Sequence, residues 1–293
     1  MANLKEVRIR IASVSSTQQI TKAMKMVSAA KLKRATNAIV QLRPYANKLK
    51  EILGNLSASL EDGVSVYTQE REVKNVLLVV ITSNRGLAGA FNTNAIKTTN
   101  NLISEHYSKF QQSGNLHILA IGKKAQDYYE KRNYQMVGNN NELFSDLNFD
   151  SVSVITESIM DAFVKGKYDK VEIIYNEFRN AAVQFLTVEQ LLPVPKAVKS
   201  SEQVSNVDYI LEPSKEEIVE QLIPKNIKIQ LYKAVLDSHA SEHGARMTAM
   251  DKATDNAGEL LKALKLSYNQ ARQAAITTEL SEIVSGAAAL SNG

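Results

Sequence analysis

Two segments of the sequence carry residues whose types and spacing could do chemistry, and the first is His239-Ala240-Ser241-Glu242-His243. Its order, H-x-x-E-H, occurs in zinc peptidases, where two histidines one helical turn apart bind the metal. A catalytic zinc also needs a third protein ligand and a substrate cleft. A coiled-coil helix does not readily offer either, so we expect no metal here and place His243 on a helix-packing position.

The second segment is the loop Ser83 to Asn92 (SNRGLAGAFN), which follows an apolar strand at the point where open α/β folds bind ligands. It lacks the three spaced glycines of the dinucleotide fingerprint and the Gly-Lys-Ser/Thr ending of a P-loop. Gly86 and Gly89 are more typical of a tight turn with close packing. We therefore expect no nucleotide and no other cofactor.

A third feature is charge. Residues 1–50 contain eleven Lys or Arg and a single acid, Glu6, although the whole chain has a net charge of only +4. Such a run is often a solvated helix face, but it also suits nucleic acid, acidic lipid headgroups or an acidic protein surface. No aromatic residue precedes Tyr45, and no nucleic-acid-binding module is recognisable, so we expect no nucleic-acid partner.

These residues must be positioned by long helices at both ends of the chain. Small or apolar residues recur at spacings of three and four, which is the a/d pattern of a coiled coil. In the C-terminal part the pattern comprises Leu236, Ala240, His243, Met247, Met250, Thr254, Ala257, Leu261, Leu264, Tyr268, Ala271 and Ala275. In the N-terminal part it comprises Leu4, Val7, Ile11, Val14, Ile20, Met24, Val27, Ala35, Ile39, Leu42, Leu49, Leu53, Leu56 and Leu60, with a lapse through Ser15 to Gln19.

The two ends are predicted to pair as one antiparallel coiled coil. Asn3 and Glu6 have the spacing of a capping box that would begin the first helix, and Pro44 should kink that helix without ending it. The predicted parts are the N-terminal helix 1–62, an α/β domain 72–196, a linker and short helix 197–224, and the C-terminal helix 225–293.

The middle of the chain changes period and predicts a Rossmann-like open α/β domain. Apolar, β-branched runs suited to buried strands alternate with helical segments and glycine turns. The predicted strands are Val76 to Thr82, Leu116 to Ile121, Lys170 to Tyr175 and Ala182 to Leu192. The predicted helices are Thr93 to Phe110, Lys123 to Arg132, Ser151 to Lys165 and Ser214 to Leu222.

Composition indicates a soluble, intracellular protein. The 293 residues include no cysteine, which excludes disulfides and thiolate metal sites. No apolar run approaches the roughly twenty residues that span a bilayer, and the first residues predict a basic helix instead of a signal peptide. From these patterns alone, a coiled-coil scaffold or tether with an α/β cargo domain and a Rossmann enzyme with helical dimerisation arms both remain open.

Several segments resemble one family over essentially the whole chain, the gamma subunits of F-type ATP synthases. Ile20 to Lys31 (ITKAMKMVSAAK) is similar to the family's early segment, and Ile276 to Ala287 (ITTELSEIVSGA) to its C-terminal signature. Arg43-Pro44-Tyr45, Ala245 to Met247 and Ala253 to Ala257 also match. The loop after the first strand resembles the family's Asp-Arg-Gly-Leu-Cys-Gly-Gly segment, but Asn84, Ala88 and Ala90 depart from it, so contacts assigned to those side chains are not carried over.

The resemblance implies a central-stalk rotor with no catalytic group of its own. Its coiled coil would thread a hexamer of alternating alpha and beta subunits, one copy per three pairs, with beta carrying out the ATP chemistry. Its globular part would meet the epsilon subunit and the membrane c ring, and proton flow would drive it. The implied location is peripheral, on the cytoplasmic face of a bacterial inner membrane, since no cysteine-bearing insertion of the plastid type is present.

The resemblance also implies particular partner contacts. Contacts with alpha and beta are expected at Lys22, Met24, Lys25, Lys31, Arg246, Gln273, Thr277 and Glu279, with the lysines facing an acidic loop of beta. Tyr209 and Glu212 match a segment near the c ring and epsilon.

Overall fold

The structure is a computed structural model that describes residues 4–57, 65–195 and 214–291. It divides into two compact units, which we call the coil unit (Met1–Ser28 with Met247–Gly293) and the sheet unit (Ala29–Arg246). Helix α1 (Leu4–Ser57) and the C-terminal helix (Lys215–Ser291) each contribute to both units. In the described ranges, no helix is long and apolar enough to cross a membrane.

In the coil unit the two helices run antiparallel. Arg8 donates to the Tyr268 hydroxyl at 2.8 Å, and Gln18 donates to the Thr254 carbonyl at 3.5 Å, so the partner number falls as the chain advances along α1. The least exposed residues on the C-terminal helix include Met250, Thr254 and Ala257, as the spacing predicts. The predicted pairing of the chain ends is therefore present in this unit.

The helix contact in the coil unit does not lapse where the apolar pattern lapses. Gln18, Thr21 and Ser28 continue the same spacing and are wholly or partly buried, whereas Ile20 is 59% exposed and Val27 58% exposed. The assignment of Ile20 and Val27 to the contact is wrong. Polar side chains form the contact here because hydrogen bonds across the helices satisfy them, as between the Thr21 and Thr254 hydroxyls at 2.8 Å.

The sheet unit is built on a five-stranded sheet whose strands follow the predicted α/β alternation. The strands are β1 (Val76–Ile81), β2 (Leu116–Ile121), β3 (Gln135–Met136), β4 (Lys170–Phe178) and β5 (Gln184–Leu192). Their order is β3-β2-β1-β4-β5, in which β5 alone pairs antiparallel. The intervening helices are α2 (Phe91–His106), α3 (Ser108–Gln112), α4 (Lys123–Glu130) and α5 (Phe149–Val164).

Both faces of this sheet are covered, as its apolar strands require. Leu77, Val79 and Ile81 of β1 belong to one buried cluster with α5 and with parts of α1 and the C-terminal helix. The intervening residues of β1 belong to a second buried cluster with α2 and α4. Successive side chains of a strand point to opposite faces, so this alternation makes three layers: helices, sheet, helices.

The C-terminal helix, α6 (Lys215–Ser291), is longer than predicted. It continues through Pro224, where the sequence predicted the end of a separate short helix. A proline inside a helix costs about 3 kcal/mol, but Ile223 and Ile227 on either side are 3% and 0% exposed, and burying each contributes roughly 1.5–3 kcal/mol. Packing against the sheet unit therefore holds the helix together across the proline.

Within the sheet unit, α1 and α6 also pack on each other. Ala35 and Ile39 of α1 form a buried cluster with Leu236 and Ala240 of α6 and with Phe178 at the end of β4. All four helix positions were assigned to the coiled-coil pattern. Leu60, at the end of the predicted N-terminal pattern, and Asn3 of the predicted cap lie outside what the structure describes. The four-part division of the chain stays a prediction.

Candidate functional site

The loop after β1, residues 83–92, is the segment in which sequence and geometry both point to function, and we call it the β1 loop. Its two ends are tied together: the Ser83 N–H donates to Asn92 Oδ1 at 2.9 Å, and the Ser83 hydroxyl donates to the Arg85 carbonyl at 2.6 Å. Between them the backbone turns through left-handed conformations at Leu87 (φ 62°) and Gly89 (φ 56°). Leu87 is nonetheless 65% exposed.

Left-handed backbone is unfavourable for a non-glycine residue, and such strain clusters at functional sites. The left-handed backbone at Leu87 therefore makes the tip of the β1 loop a candidate functional site. The sequence did not reveal this site, because the motif suggested only a glycine turn.

Asn84 joins the β1 loop to two neighbouring segments. Its amide nitrogen donates to the Asn141 carbonyl at 2.6 Å, and its Oδ1 accepts from the Lys123 N–H at 2.9 Å. An ionised aspartate could accept from Lys123 but could not donate to Asn141. Asn84 thus has a structural role that depends on its departure from the acid of the resembled motif. Ala88, a second departure, is 1% exposed and packs as a small side chain.

At the carboxyl ends of the neighbouring strands β1 and β2, the segments that follow are tied together by hydrogen bonds. The strand order reverses between β1 and β4, and such folds bind ligands at that reversal. Three consecutive amides at the start of α4 donate to Asn84 Oδ1, to the Ser83 carbonyl and to Thr82 Oγ1. A Cβ at Gly122 would lie 2.1 Å from the Thr82 carbonyl oxygen. Amides at a helix N-terminus can bind anions, and these three donate to protein atoms instead.

Arg246 links α6 to the β1 loop. Its Nη1 contacts Glu242 Oε1 at 2.5 Å, and its Nη2 donates to the carbonyls of Arg85 at 3.1 Å and Gly86 at 3.3 Å. The residue is 7% exposed. Sequence reasoning placed Arg246 against a partner subunit, but the structure places its guanidinium inside the sheet unit.

The electrostatics of this pair follow from burial. Burial raises the pKa of Glu242, and the Arg246 guanidinium opposes that rise. A carboxylate this enclosed is stable in its charged form only while the cation stays beside it. Arg246 therefore stabilises both the Glu242 carboxylate and the β1 loop.

His239 and His243, the two histidines of the H-x-x-E-H segment, pack as rings. His239 stacks on Phe144 with centroids 5.5 Å apart and an interplanar angle of 12°, and it meets His243 edge to face at 4.5 Å. Burial lowers the pKa of His239 to about 4 and that of His243 to about 3. Among the described residues, no group of three or more His, Cys, Asp or Glu that could hold a metal is found. The geometry is that of two neutral packed rings.

A second buried charge lies earlier on α6. The Asp237 side chain is 0% exposed and lies 3.4 Å from the Arg43 guanidinium, which also donates to the Phe178 carbonyl at 2.9 Å. Burial raises the pKa of Asp237 to about 6, against the opposing effect of Arg43. The motif Arg43-Pro44-Tyr45 predicted no role for Arg43, whereas the structure shows that it joins α1, β4 and α6.

The remaining expected contact residues lie mainly on helix surfaces. In the coil unit Lys25 forms an ion pair with Asp251, Met24 is half-buried, and the others there are exposed. The exposed set is Lys22, Gln273, Thr277 and Glu279. Lys31, in the sheet unit, is exposed as well. Tyr209 and Glu212 lie outside the described residues.

The end of α6 exposes a run of large apolar residues. Their exposed fractions are 45% at Ile276, 58% at Leu280, 67% at Ile283, 66% at Val284 and 86% at Leu290. Earlier on α6, positions spaced by three and four, such as Tyr268 and Ala271, remain partly covered. The contact between the helices of the coil unit therefore ends near Ala275, and the apolar residues beyond it have no cover from α1.

Comparison with known proteins gives consistent matches. The family model described as ATP synthase matches residues 3–290. The ATP synthase gamma chains of Cytophaga hutchinsonii and Chlorobium phaeobacteroides are 58% and 49% identical, covering 100% and 99% of this chain and 100% and 99% of their own.

Solved structures also match. A chain of the Tetrahymena thermophila mitochondrial ATP synthase central stalk and c ring is 28% identical with a TM-score of 0.58, covering 80% of this chain and 99% of its own. A chain of the Euglena gracilis mitochondrial ATP synthase rotor has a TM-score of 0.66 at 24% identity, covering 93% of this chain and 98% of its own, and supports the fold alone.

Proposed function

Because the chain belongs to the family of ATP synthase gamma chains and is a central-stalk subunit, we propose that it is the rotor that couples proton flow to ATP synthesis or hydrolysis. Rotation driven by the membrane c ring would change the conformation of catalytic beta subunits. The chain contributes no bond-making group; it acts by favouring different states of equivalent partners.

One observation carries this proposal: the exposed apolar end of α6 (Ile276, Leu280, Ile283, Val284 and Leu290). A helix end with this many large apolar side chains in water is unfavourable by itself, and such exposure marks an interaction surface. The partner that fits is a ring of alpha and beta subunits, one copy of this chain per three pairs, which would enclose the helix end on all sides.

The charge of α1 supports the same assembly. The coil unit presents Lys22 and Lys25 near Met24, and the sheet unit presents Lys31, so an acidic loop of beta would find cations along this helix. Gln273, Thr277 and Glu279 lie near the start of the apolar end and are proposed contacts with alpha and beta. Tyr209 and Glu212 are proposed contacts with the c ring and epsilon. For Arg246 the buried geometry favours an internal role.

The proposed location is peripheral, at the cytoplasmic face of a bacterial inner membrane, where epsilon and the c ring would hold the chain. The proton is the proposed coupling ion. The family and the proposed partners support the location, and the choice of ion belongs to the c ring.

Reconstitution tests the function. The full chain, mixed with its own alpha and beta subunits, should elute from gel filtration as one copy per three pairs and restore ATPase activity. A chain ending at Ala275 should assemble poorly, because it lacks the apolar end. A full chain that neither joins alpha and beta nor changes their ATPase activity would contradict the rotor and favour a tether protein.

A further inference from the structure

The contact between Arg246 and the β1 loop is a fork. One side of the guanidinium contacts Glu242 one turn back on α6, and Nη2 reaches the carbonyls of Arg85 and Gly86. These two carbonyls belong to consecutive residues of a loop 160 positions away in sequence. A planar guanidinium can serve both sides at once, whereas a lysine ammonium is a single point charge.

The β1 loop is held firmly at its base. Ser83 and Asn92 bond to each other, and Asn84 bonds to Lys123 and to Asn141. Its tip is different, because Arg85, Gly86 and Leu87 are exposed. The Arg246 fork reaches the backbone at the start of this tip, just before the left-handed residue Leu87.

We propose that Arg246 is a positioning residue, which fixes the tip of the β1 loop to α6 so that Arg85 and Leu87 move with that helix. Glu242 orients the guanidinium, and Arg246 in turn satisfies the buried carboxylate. The inference rests on the proposed rotor function, since its consequence is that motion of α6 within the sheet unit reaches the loop without loss. The expected partner contact of Arg246 stays a prediction beside this contact inside the chain.

Arg246→Lys is the sharpest test. It keeps a cation for Glu242, so the fold is retained, but one nitrogen cannot also hold both carbonyls. A double variant, Glu242→Gln with Arg246→Gln, removes both charges together and leaves no buried carboxylate unpaired. The matched control is Arg132→Lys, the same change at an exposed residue beyond the end of α4.

The first measurement is amide hydrogen exchange of residues 83–92, with residues 116–121 of β2 as the internal reference. Hydrogen bonds to charged groups are among the stronger ones, so both variants at position 246 should exchange about tenfold faster in the β1 loop, with β2 unchanged. Arg132→Lys should match the wild type. Unchanged exchange in the loop, or faster exchange that also includes β2, would overturn the positioning role.

The second measurement uses the whole enzyme in vesicles and compares ATP hydrolysis with ATP-driven proton pumping. With Arg246→Lys, hydrolysis should continue while the protons pumped per ATP decline, because the tip no longer follows α6. Faster loop exchange with an unchanged pumping ratio would overturn the transmission. If the wild-type chain failed to join alpha and beta, the rotor function would be rejected. The exchange measurement on the free chain would still test whether Arg246 fixes the tip of the β1 loop.

Discussion

Lys25 of α1 and Asp251 of α6 form an ion pair inside the coil unit, next to the hydrogen bond between Thr21 and Thr254. Their side chains are 40% and 48% exposed, so the pair lies at the border of the helix contact and keeps access to solvent. A pair this exposed contributes about 0–1 kcal/mol to folding. Breaking this ion pair would therefore cost little, so Lys25 could also contact the beta subunit.

Charge reversal at Lys25 tests that contact. Lys25→Glu should alter ATP hydrolysis and its coupling to proton flow more than it alters the free energy of unfolding, which should drop by roughly 1 kcal/mol because the new acid faces Asp251. The measurement is the coupling ratio in reconstituted vesicles beside a thermal unfolding curve. The charge-swapped variant, Lys25→Glu with Asp251→Lys, is the control. Full recovery of coupling in the swap would mean that the ion pair alone matters and would reject a contact with beta.

The apolar end of α6 gives a prediction with a close internal control. Leu280→Ser and Ile283→Ser should leave the stability of the isolated chain within about 0.5 kcal/mol, because both residues are exposed in it. Both should weaken assembly with alpha and beta. Leu266→Ser, at a residue 61% exposed before the apolar end, should have a smaller effect on assembly. Equal losses at all three positions, measured by gel filtration and ATPase activity, would argue against a specific role for the end of the helix.

The two packed histidines predict sensitivity to acid. Their pKa values are lowered to about 4 and about 3, so between those values and 6.5 the unfolded chain binds protons that the folded chain does not. Their contribution to stability is fully present above pH 6.5 and is lost as the pH falls. A tenfold difference in proton affinity corresponds to about 1.4 kcal/mol, so the free energy of unfolding should decline by several kcal/mol at pH 4.

The check is chemical denaturation at pH 4.0 to 7.5 of the wild type and of a variant with His239→Gln and His243→Gln. The variant should show a shallower decline in the free energy of unfolding below pH 6.5. Parallel curves would show that the rings carry no linked protons.

For Asp237 we predict the opposite dependence of the free energy of unfolding on pH. Its pKa is raised from 3.8 to about 6, so the folded chain holds a proton in that window that the unfolded chain has released. Its contribution to stability therefore falls as the pH rises through this window, by roughly 3 kcal/mol at most. Asp237→Asn removes the titration. The difference in unfolding free energy between this variant and the wild type should move in favour of the variant from pH 4 to pH 7, and a constant difference would refute the raised pKa.

Much of the fold followed from spacing in the sequence. Met250, Thr254 and Ala257 were placed on the helix contact by their three-four recurrence alone, and the strand Val76 to Ile81 by an unbroken apolar run. These predictions worked because burial and periodicity are directly linked. Strand β3 was missed because Gln135–Met136 has two residues and no periodicity to read.

The wrong assignments to the helix contact lie where hydrogen bonds, and not apolar character, decide which side chains are buried. Ile20 and Val27 are apolar and exposed, while Thr21 is polar and buried, because a bond to Thr254 across the helices satisfies its hydroxyl. The resemblance to the gamma subunits implied a partner contact for Arg246, which stays a prediction, but its burial in the sheet unit was not foreseen. Its buried place depends on the carbonyls of a distant loop, which no local pattern encodes.

Gly122 lies in the turn between β2 and α4, next to the end of β1. An ordinary side chain there would collide with the Thr82 carbonyl, so only a glycine lets the ends of β1 and β2 approach each other this closely. A substitution of Gly122 would therefore separate the start of α4 from the end of β1 and loosen the base of the β1 loop.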